Sequence, residues 1–420
     1  MTTPNRDSSS VALDFSLILV LFLTSRLMLL LALPLEEVIV YGDYRHYFNV
    51  ASLSSAEVCA QITGVQQGCL PYIDYWYEFP PLFAYLNIAL YHLTGQQFKN
   101  YSVVLALVLL LFEAGNLYLL YRLAFTVYGR ARAIATAWIY TALFVPLFFW
   151  LGNFDAITTF FILLGLYALV EKRNNLLAVA LGLGTMVKFL PAMLLVTVWR
   201  VRGWRALVEP VAATVFISLI IFGPFFLLNP TQSWASLRAQ AGKSSYQTVW
   251  AMIDGNDTTG NFGPLSDHFD PAKAAEPLNR PPRVPTWLTL LPFGLLGLFI
   301  FTRPPVLSNA HQDAVVFTTI TLVIFFLWSQ GWSPQWQTYL IPLLLLSFPE
   351  KRAILFIIVL GFINFLEWPV ILSRGLNQLL PITIIARTLV FVLLAVELFN
   401  ILGRTRSKQP VYPASRIAES

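Results

Sequence analysis

The chain of 420 residues is 57% hydrophobic and only 12% charged, whereas about a quarter of the residues of a soluble globular protein are charged. This composition excludes a soluble globular protein. The net charge of +5 does not indicate nucleic-acid binding either, because the cations stand in short clusters between apolar runs, where they act as topology signals. Helices satisfy their own backbone hydrogen bonds in lipid, so we predict an all-α polytopic membrane protein.

Apolar segments suited to crossing a bilayer recur along the whole chain. We predict about twelve transmembrane helices, near residues 13–33, 101–123, 133–150, 156–170, 176–187, 189–198, 206–228, 285–301, 312–328, 336–348, 353–370 and 379–402. Lys and Arg cluster between these segments, for example at 130–132, 200–205 and 351–352, and such clusters favour the cytoplasmic side. Both termini are then cytoplasmic, and the loops at the other ends of the helices face outward.

The first outer loop, residues 34–100, is predicted to contain interfacial helices. Its apolar segment 80–95 is short for a crossing, and counting it as a span would place Arg130 outside, so we interpret it as an interfacial or re-entrant helix. Cys59 and Cys69 fall in the same loop, where they either form a disulfide or remain two unpaired thiols.

Two motifs in this loop combine aromatic residues with carboxylates: Gly-Asp-Tyr-Arg-His-Tyr at 42–47 and Tyr-Glu-Phe-Pro-Pro at 77–81. A carrier is expected to keep its functional carboxylates inside the helix bundle. Carboxylates in a membrane-anchored loop can instead meet a lipid-linked substrate and an aqueous one together. Their placement therefore predicts an enzyme that works at a membrane surface.

Two further charged residues are predicted on the same outer side. Asp155 heads a span directly after Gly-Asn-Phe at 152–154, and Lys188 separates two short helices. A charge at membrane depth is a functional candidate, although a lysine near a boundary can also extend its amine to the interface. Arg26, past the middle of the first span, has the same two interpretations.

Aromatic and amide side chains are the third element of the predicted site. Tyr246 lies in a stretch of the long outer segment 229–284 that mixes aromatic and amide residues, as is usual in sugar sites. The alternative interpretation of this segment is a loop lid. Gln335 ends the outer segment 329–335, whose tryptophans could line a lipid groove or belong to an interfacial aromatic belt.

We divide the chain into four parts on these grounds. They are a catalytic membrane module at 1–228 that includes loop 34–100, an outer loop or lid at 229–284, C-terminal transmembrane helices at 285–402, and a cytoplasmic tail at 403–420.

These motifs and their order resemble the polytopic glycosyltransferases of the C superfamily (GT-C), which use polyprenyl-phosphate sugars, and most nearly the bacterial α-mannosyltransferases of family 87. The resemblance runs along most of the chain. The pieces that carry it are Gly-Asp at 42–43, Tyr-Glu-Phe-Pro-Pro-Leu at 77–82, Gly-Asn-Phe-Asp at 152–155, Lys-Phe-Leu-Pro at 188–191 and Ser-Pro-Gln-Trp at 333–336.

The resemblance implies a GT-C-like bundle and an inverting transfer of a sugar, mannose in the bacterial family, from polyprenyl phosphate to a lipid or glycan acceptor. The reaction would take place on the outer face of a bacterial plasma membrane, with Asp43 as the base. The departing phosphate needs positive charge, for which Lys188 is a candidate. No acidic residue stands two positions after Asp43, which weakens the case for a bound metal. We predict no cofactor, and the lipid-linked donor is a co-substrate.

The remaining candidates are predicted to bind substrate, and several have a structural alternative. We predict substrate-binding roles for Glu78, Asp155, His46, Lys188, Arg26, Tyr246 and Gln335. Alternatively, Asp43 and Asp155 cap helices, Glu78 is a favourable charge at a helix start, and His46 is structural.

The competing class for such a composition is a secondary transporter or lipid flippase. That class predicts internal repeats with helices broken at the midplane, and the sequence has no evident repeat. A non-catalytic scaffold would not need outward carboxylates beside aromatic residues.

Overall fold

The computed structural model describes residues 6–32, 35, 42–241, 244–260, 263–276, 278–303 and 310–403. The predicted tail beyond residue 403 and residues 36–41 of the first loop lie outside this part of the chain. The described residues form helices joined by loops, with isolated β-bridges at Pro71–Tyr75 and Tyr246–Gly331.

The helices fall into two groups along the chain. The first half contains α1 Arg6–Ala32, α2 Tyr44–Ser52, α3 Ala56–Thr63, α4 Pro81–Leu93, α5 Phe98–Tyr128, α6 Arg130–Ala142, α7 Phe144–Phe149, α8 Asp155–Val170, α9 Asn174–Val187 and α10 Leu194–Arg202. The second half contains α11 Val208–Leu228, α12 Pro230–Ala241, α13 Val249–Asp254, α14 Thr286–Thr302, α15 Ala310–Trp328, α16 Gln337–Ser347, α17 Glu350–Phe365 and α18 Leu380–Gly403.

Six helical segments of the described chain are long and apolar enough to cross a membrane: Asp14–Ala32, Phe98–Tyr128, Trp204–Leu228, Ala310–Trp328, Glu350–Arg374 and Asn377–Gly403. Shorter apolar helices accompany them at Asp155–Val170, Asn174–Val187 and Thr286–Thr302. The apolar segment Trp204–Leu228, which contains α11, is only 11% buried, and Leu227 is 89% exposed. Such an uncovered apolar surface is stable in lipid but not in water.

The segment predicted as a span near residues 133–150 is not one continuous helix. Two helices, α6 and α7, cover this segment, and Leu143 between them is extended. Pro146 stands in the first turn of α7, where it has no N–H to bond to the carbonyl four residues earlier, so the helix restarts at this point. In contrast, the prediction that two short helices meet at Lys188 is confirmed, because this residue is extended between α9 and a 3-10 turn that leads into α10.

The long segment after α11 is more regular than its sequence indicated. Helix α12 begins with Pro230, a residue suited to the first helical position, and lies next to Asn229, whose side chain accepts a hydrogen bond from Gln232. Its polar side chains bond to the backbone of the first loop, as Ser236 does to Tyr77. These distant partners explain why the sequence alone gave no helical signal here.

Of the two alternatives for the cysteines of the first loop, the structure contains the disulfide. Cys59 and Cys69 are bonded, ten positions apart in sequence with a Cα–Cα distance of 5.8 Å. Both are buried in a small core with Leu53, Tyr72 and Tyr75. The bridge therefore joins α3 to the strand-like segment that leads to Glu78.

Several basic residues used to predict topology lie at one end of the bundle. Arg200 forms a buried ion pair with Asp313, and its Nε lies 2.9 Å from the Oδ2 atom. Arg132 pairs with Glu350, while Arg130 pairs with Asp14 at the start of the α1 span. These pairs involve the ends of helices opposite to those that carry Asp155 and Lys188.

Candidate functional site

Two glycines bring the first loop against the loop before α8. The Asp43 N–H donates to the Gly152 carbonyl at 2.7 Å. A Cβ atom on Gly42 would lie 2.6 Å from the Gly152 carbonyl oxygen, so the two backbones approach more closely than any side chain allows. Gly152 has a φ of +95°, in the region that favours glycine. The contact places Asp43 beside Asn153.

The Asp43 carboxylate accepts two side-chain hydrogen bonds. The Tyr47 hydroxyl, one helical turn later, donates to Oδ2 at 3.2 Å. The Asn153 amide, oriented with its nitrogen toward the carboxylate, donates to the same oxygen at 2.9 Å. Asp43 is nevertheless solvent-accessible, whereas Tyr47 and Asn153 are buried. The carboxylate is thus held in place and still reachable.

The pKa of Asp43 is raised above its ordinary value. Desolvation by the surrounding protein is the main cause, although one face of the side chain remains accessible. The charge of His46 opposes this shift, Asp155 adds to it, and Lys188 opposes it. A carboxylate with a raised pKa binds a proton more readily than a solvated aspartate, as a general base requires.

Asp155 and Lys188 form an ion pair in the same region. The Lys188 ammonium donates to Asp155 Oδ1 at 2.8 Å and to the Tyr339 hydroxyl at 2.8 Å. Asp155 is buried at the first turn of α8, where a negative charge is favourable, while the Lys188 side chain keeps 18% of its surface exposed. The ammonium lies 5.1 Å from the Phe154 ring centroid and 5.3 Å from that of Trp336.

Glu78 lies behind His46. The His46 Nε2 donates to Glu78 Oε1 at 3.1 Å, and the glutamate side chain is fully buried while 34% of the histidine side chain is exposed. Burial acts to raise the pKa of Glu78, but the hydrogen bond and charge of His46, with the charge of His268, outweigh it and lower that pKa. In this geometry His46 faces the accessible side and Glu78 orients its ring.

Tyr246 lies in the long segment, near enough to Asp43 and Asp155 to interact with their charges. It forms a β-bridge with Gly331, in which the Tyr246 N–H donates to the Gln330 carbonyl at 3.1 Å and the Trp332 N–H donates to the Tyr246 carbonyl at 3.1 Å. Its hydroxyl lies close to the Ser333 side chain. Burial, opposed by Ser333 and assisted by Asp43 and Asp155, raises the pKa of Tyr246 to about 12, so the hydroxyl keeps its proton at neutral pH.

The structure brings six of the eight predicted residues close together, namely Asp43, His46, Glu78, Asp155, Lys188 and Tyr246. Gln335 is half-buried in the turn before α16, next to Trp336 at the edge of this cluster. Arg26 is placed elsewhere: it is buried, its guanidinium lies 3.5 Å from the Phe22 ring centroid, and it interacts with Glu113 and Tyr140.

Sequence reasoning did not single out Asn153, Tyr47 and Tyr339 as site residues. The first two were visible within the motifs at 152–155 and 42–47, so attention to the neighbours of each carboxylate would have found them. Tyr339 lies inside an apolar helix with no charged neighbour, and only the fold brings it to Lys188. Across the described ranges, no three His, Cys, Asp or Glu side chains are grouped as a metal site would need.

Comparison with known proteins assigns the chain to a family. The sequence model of glycosyltransferase family 87 matches residues 76–330, more than half of the chain. The chain belongs to glycosyltransferase family 87. It is therefore a membrane glycosyltransferase, and the family resemblance and the integral membrane prediction are both confirmed. The matched segment contains Glu78, Asp155, Lys188 and Tyr246, whereas Asp43 lies before it.

A solved structure of another protein is similar as well. The crystal structure of the Archaeoglobus fulgidus oligosaccharyltransferase in the apo form is similar with a TM-score of 0.44 and 13% sequence identity, over 93% of this chain and 55% of that chain. This chain thus spans about half the length of that protein. No curated protein matches at a significant level.

Proposed function

We propose that this family 87 glycosyltransferase moves a sugar, with inversion, from a polyprenyl-phosphate donor to a hydroxyl of a lipid or glycan acceptor. The observation that supports this reaction is the juxtaposition of an accessible, proton-accepting carboxylate, Asp43, with the Lys188 ammonium. One group can take the acceptor's proton while the other stabilises the departing phosphate.

Asp43 serves as the general base in this proposal. As the acceptor oxygen bonds to the anomeric carbon, its proton passes to the Asp43 carboxylate and the bond from that carbon to the phosphate oxygen breaks. Tyr47 and Asn153 both donate to Oδ2, so Oδ1 is the oxygen that receives the proton. Because one displacement forms one bond and breaks one bond, the configuration at the anomeric carbon is inverted.

Lys188 stabilises the leaving phosphate. Its ammonium has three N–H groups, and Asp155 and Tyr339 accept two of them. The third remains for a phosphate oxygen on the exposed side of the residue. The lipid phosphate gains a negative charge as it leaves, so a cation fixed beside it lowers the barrier to departure.

The remaining residues bind the sugar and the acceptor. His46, oriented by Glu78, and the Tyr246 hydroxyl both lie within electrostatic range of Asp43 and can bond to sugar hydroxyls. Gln335 extends this polar surface, and Trp336 beside it covers apolar ring faces or the lipid chain. Arg26 has no role in substrate binding in this proposal, because it is fully buried among bundle residues.

The proposal includes an arrangement in the membrane. The shorter helices complete a bundle of about twelve spans, both termini are cytoplasmic, and the site faces the outside of a bacterial plasma membrane. The separation between the basic pairs at one end of the bundle and the site at the other supports this orientation, because cations favour the cytoplasmic side.

A donor panel tests the proposed reaction. Purified protein in nanodiscs receives radiolabelled mannose or another hexose, linked either to polyprenyl phosphate or to a nucleotide, together with a membrane lipid extract. We expect transfer from polyprenyl-phosphate-mannose only. Transfer from a nucleotide sugar alone would overturn the proposed class of donor. Transfer from another polyprenyl-phosphate hexose would overturn mannose as the transferred sugar. The Asp257→Asn variant is a matched control, since Asp257 is an exposed carboxylate.

A further inference from the structure

A buried ion pair in the C-terminal helices reaches the segment that carries Tyr246. Arg387 of α18 donates to the Glu367 carboxylate and to the Gln247 backbone carbonyl. The Gln247 side-chain amide donates to Glu367 Oε1 at 2.8 Å. The charged side chains are almost fully buried, with 3% of Arg387 and none of Glu367 exposed. Breaking this pair would leave one uncompensated buried charge.

Glu367 owes its position to an irregular turn. It lies in a π-helical turn, Leu366–Ile371, that follows α17 and contains Pro369. π-Helical turns are rare in proteins, and those that do occur often lie at functional sites. Because the turn adds a residue to the helical repeat, it changes the direction in which the glutamate points. Glu367 thereby meets Arg387 and Gln247 together.

Gln247 is held in a conformation that a non-glycine residue rarely adopts. Its φ is +53°, in the left-handed region, which costs roughly 1 kcal/mol or more for such a residue. Three contacts compensate: those with Arg387 and Glu367, and a hydrogen bond in which the Thr259 hydroxyl donates to Gln247 Oε1 at 3.0 Å. The turn at Gln247 sets the direction of the preceding residue, Tyr246.

Tyr246 fits a space made by two glycines. A Cβ atom on Gly260 would lie 2.8 Å from the tyrosine ring, and one on Gly331 would lie 2.7 Å from its hydroxyl oxygen. The Arg387 guanidinium also lies 5.1 Å from the ring centroid of Trp332, whose backbone N–H donates to the Tyr246 carbonyl. Arg387 therefore contacts Gln247, which follows Tyr246 in the sequence, and Trp332, which bonds to the Tyr246 backbone.

We propose that Arg387 and Glu367 are positioning residues that hold the Tyr246 hydroxyl at the two aspartates. This inference rests on the proposed function for its catalytic consequence. Both residues lie beyond the matched family segment, which ends at residue 330. The segment around Tyr246 is then a fixed wall of the site, in place of the lid that its length indicated.

Hydrogen exchange tests the structural half of the proposal without any donor. In Arg387→Gln, we expect the amides of Tyr246 and Trp332 to exchange at least about tenfold faster, because the charged hydrogen bonds to Glu367 and to the Gln247 carbonyl are both lost and the neighbouring bridge is weakened. Arg200→Gln is the matched control: Arg200 is equally buried and bonds bidentately to Asp313 at 2.9 and 3.1 Å, but at the other end of the bundle. Unchanged exchange in Arg387→Gln would overturn the proposal.

A second variant covers the case in which Arg387→Gln does not fold. Arg387→Lys keeps the charge but has a single point of contact in place of the planar fork that reaches both Glu367 and Gln247. We expect an intermediate increase in the exchange of the Tyr246 amide. Full protection in this variant would contradict the need for both contacts.

A double-mutant cycle tests the catalytic half. We expect Tyr246→Phe and Arg387→Gln each to lower kcat/KM for the acceptor by about tenfold or more. The kcat/KM of the double variant should then agree within about threefold with that of the less active single variant. Multiplying losses would show that Arg387 does not act through Tyr246. If the wild type transfers nothing from polyprenyl-phosphate sugars, the proposed function fails, while the exchange result still decides whether Arg387 and Glu367 position Tyr246.

Discussion

The closest backbone contact of the site gives a prediction with a magnitude. A Cβ atom on Gly42 would lie 2.6 Å from the Gly152 carbonyl oxygen, where a non-bonded contact needs about 3.5 Å. The Gly152 Cα atom would lie nearer still, so Gly42→Ala must separate the two loops by at least about 1 Å. The hydrogen bond from the Asp43 N–H to Gly152 is lost in the process, and Asp43 moves away from Asn153.

A displacement of this size affects catalysis more than folding. A misplacement of about 1 Å can lower a rate by roughly a hundredfold, so we expect kcat/KM for the acceptor to fall by about that factor. The assay is initial-rate transfer of radiolabelled sugar in nanodiscs, with the melting temperature measured in parallel. Gly223→Ala in α11 is the control, since a Cβ atom there meets nothing within 4 Å. Activity of Gly42→Ala within threefold of wild type would refute the reasoning.

Three further predictions follow from the site and the first loop. The kcat/KM for the acceptor should fall as the pH is lowered through the raised pKa of Asp43, because protonation removes the base, and an activity that stays flat down to the ordinary value of 3.8 would contradict this role. Lys188→Gln should raise the donor KM about 10 to 100-fold while Lys188→Arg retains more affinity, and an unchanged donor KM would exclude phosphate binding. Replacing Cys59 and Cys69 by Ser should destabilise the protein by about 2 to 3 kcal/mol, and an unchanged melting temperature would contradict this.

The sequence predicted those helices, junctions and site residues that are determined by residues nearby in the chain. Apolar runs located the long helices, and Lys188 with Pro191 indicated the junction between two short ones. The family motifs indicated that Asp43 and Asp155 belong to one site, and each motif could be recognised locally because it contains both a turn and a carboxylate. These features depend on neighbours within a few residues.

The remainder depends on partners that are distant in sequence. Helix α12 is stabilised by bonds to a loop about 160 positions earlier, as between Ser236 and Tyr77, so its own composition gives no amphipathic pattern. Arg387 and Gln247 are 140 positions apart. Arg26 was a reasonable candidate by its charge alone, yet its neighbours Glu113 and Tyr140 lie within the bundle. No local pattern distinguishes such a residue from one that faces substrate.

The measurement that tests the central claim most directly is transfer from polyprenyl-phosphate-mannose by Asp43→Asn and Asp43→Glu beside the wild type. The substitution with Asn removes the base but little volume, so the account predicts donor binding close to that of the wild type and no detectable transfer. Asp43→Glu restores a carboxylate and should recover a part of the activity. Turnover by Asp43→Asn at a rate near that of the wild type would exclude Asp43 as the base and contradict the account.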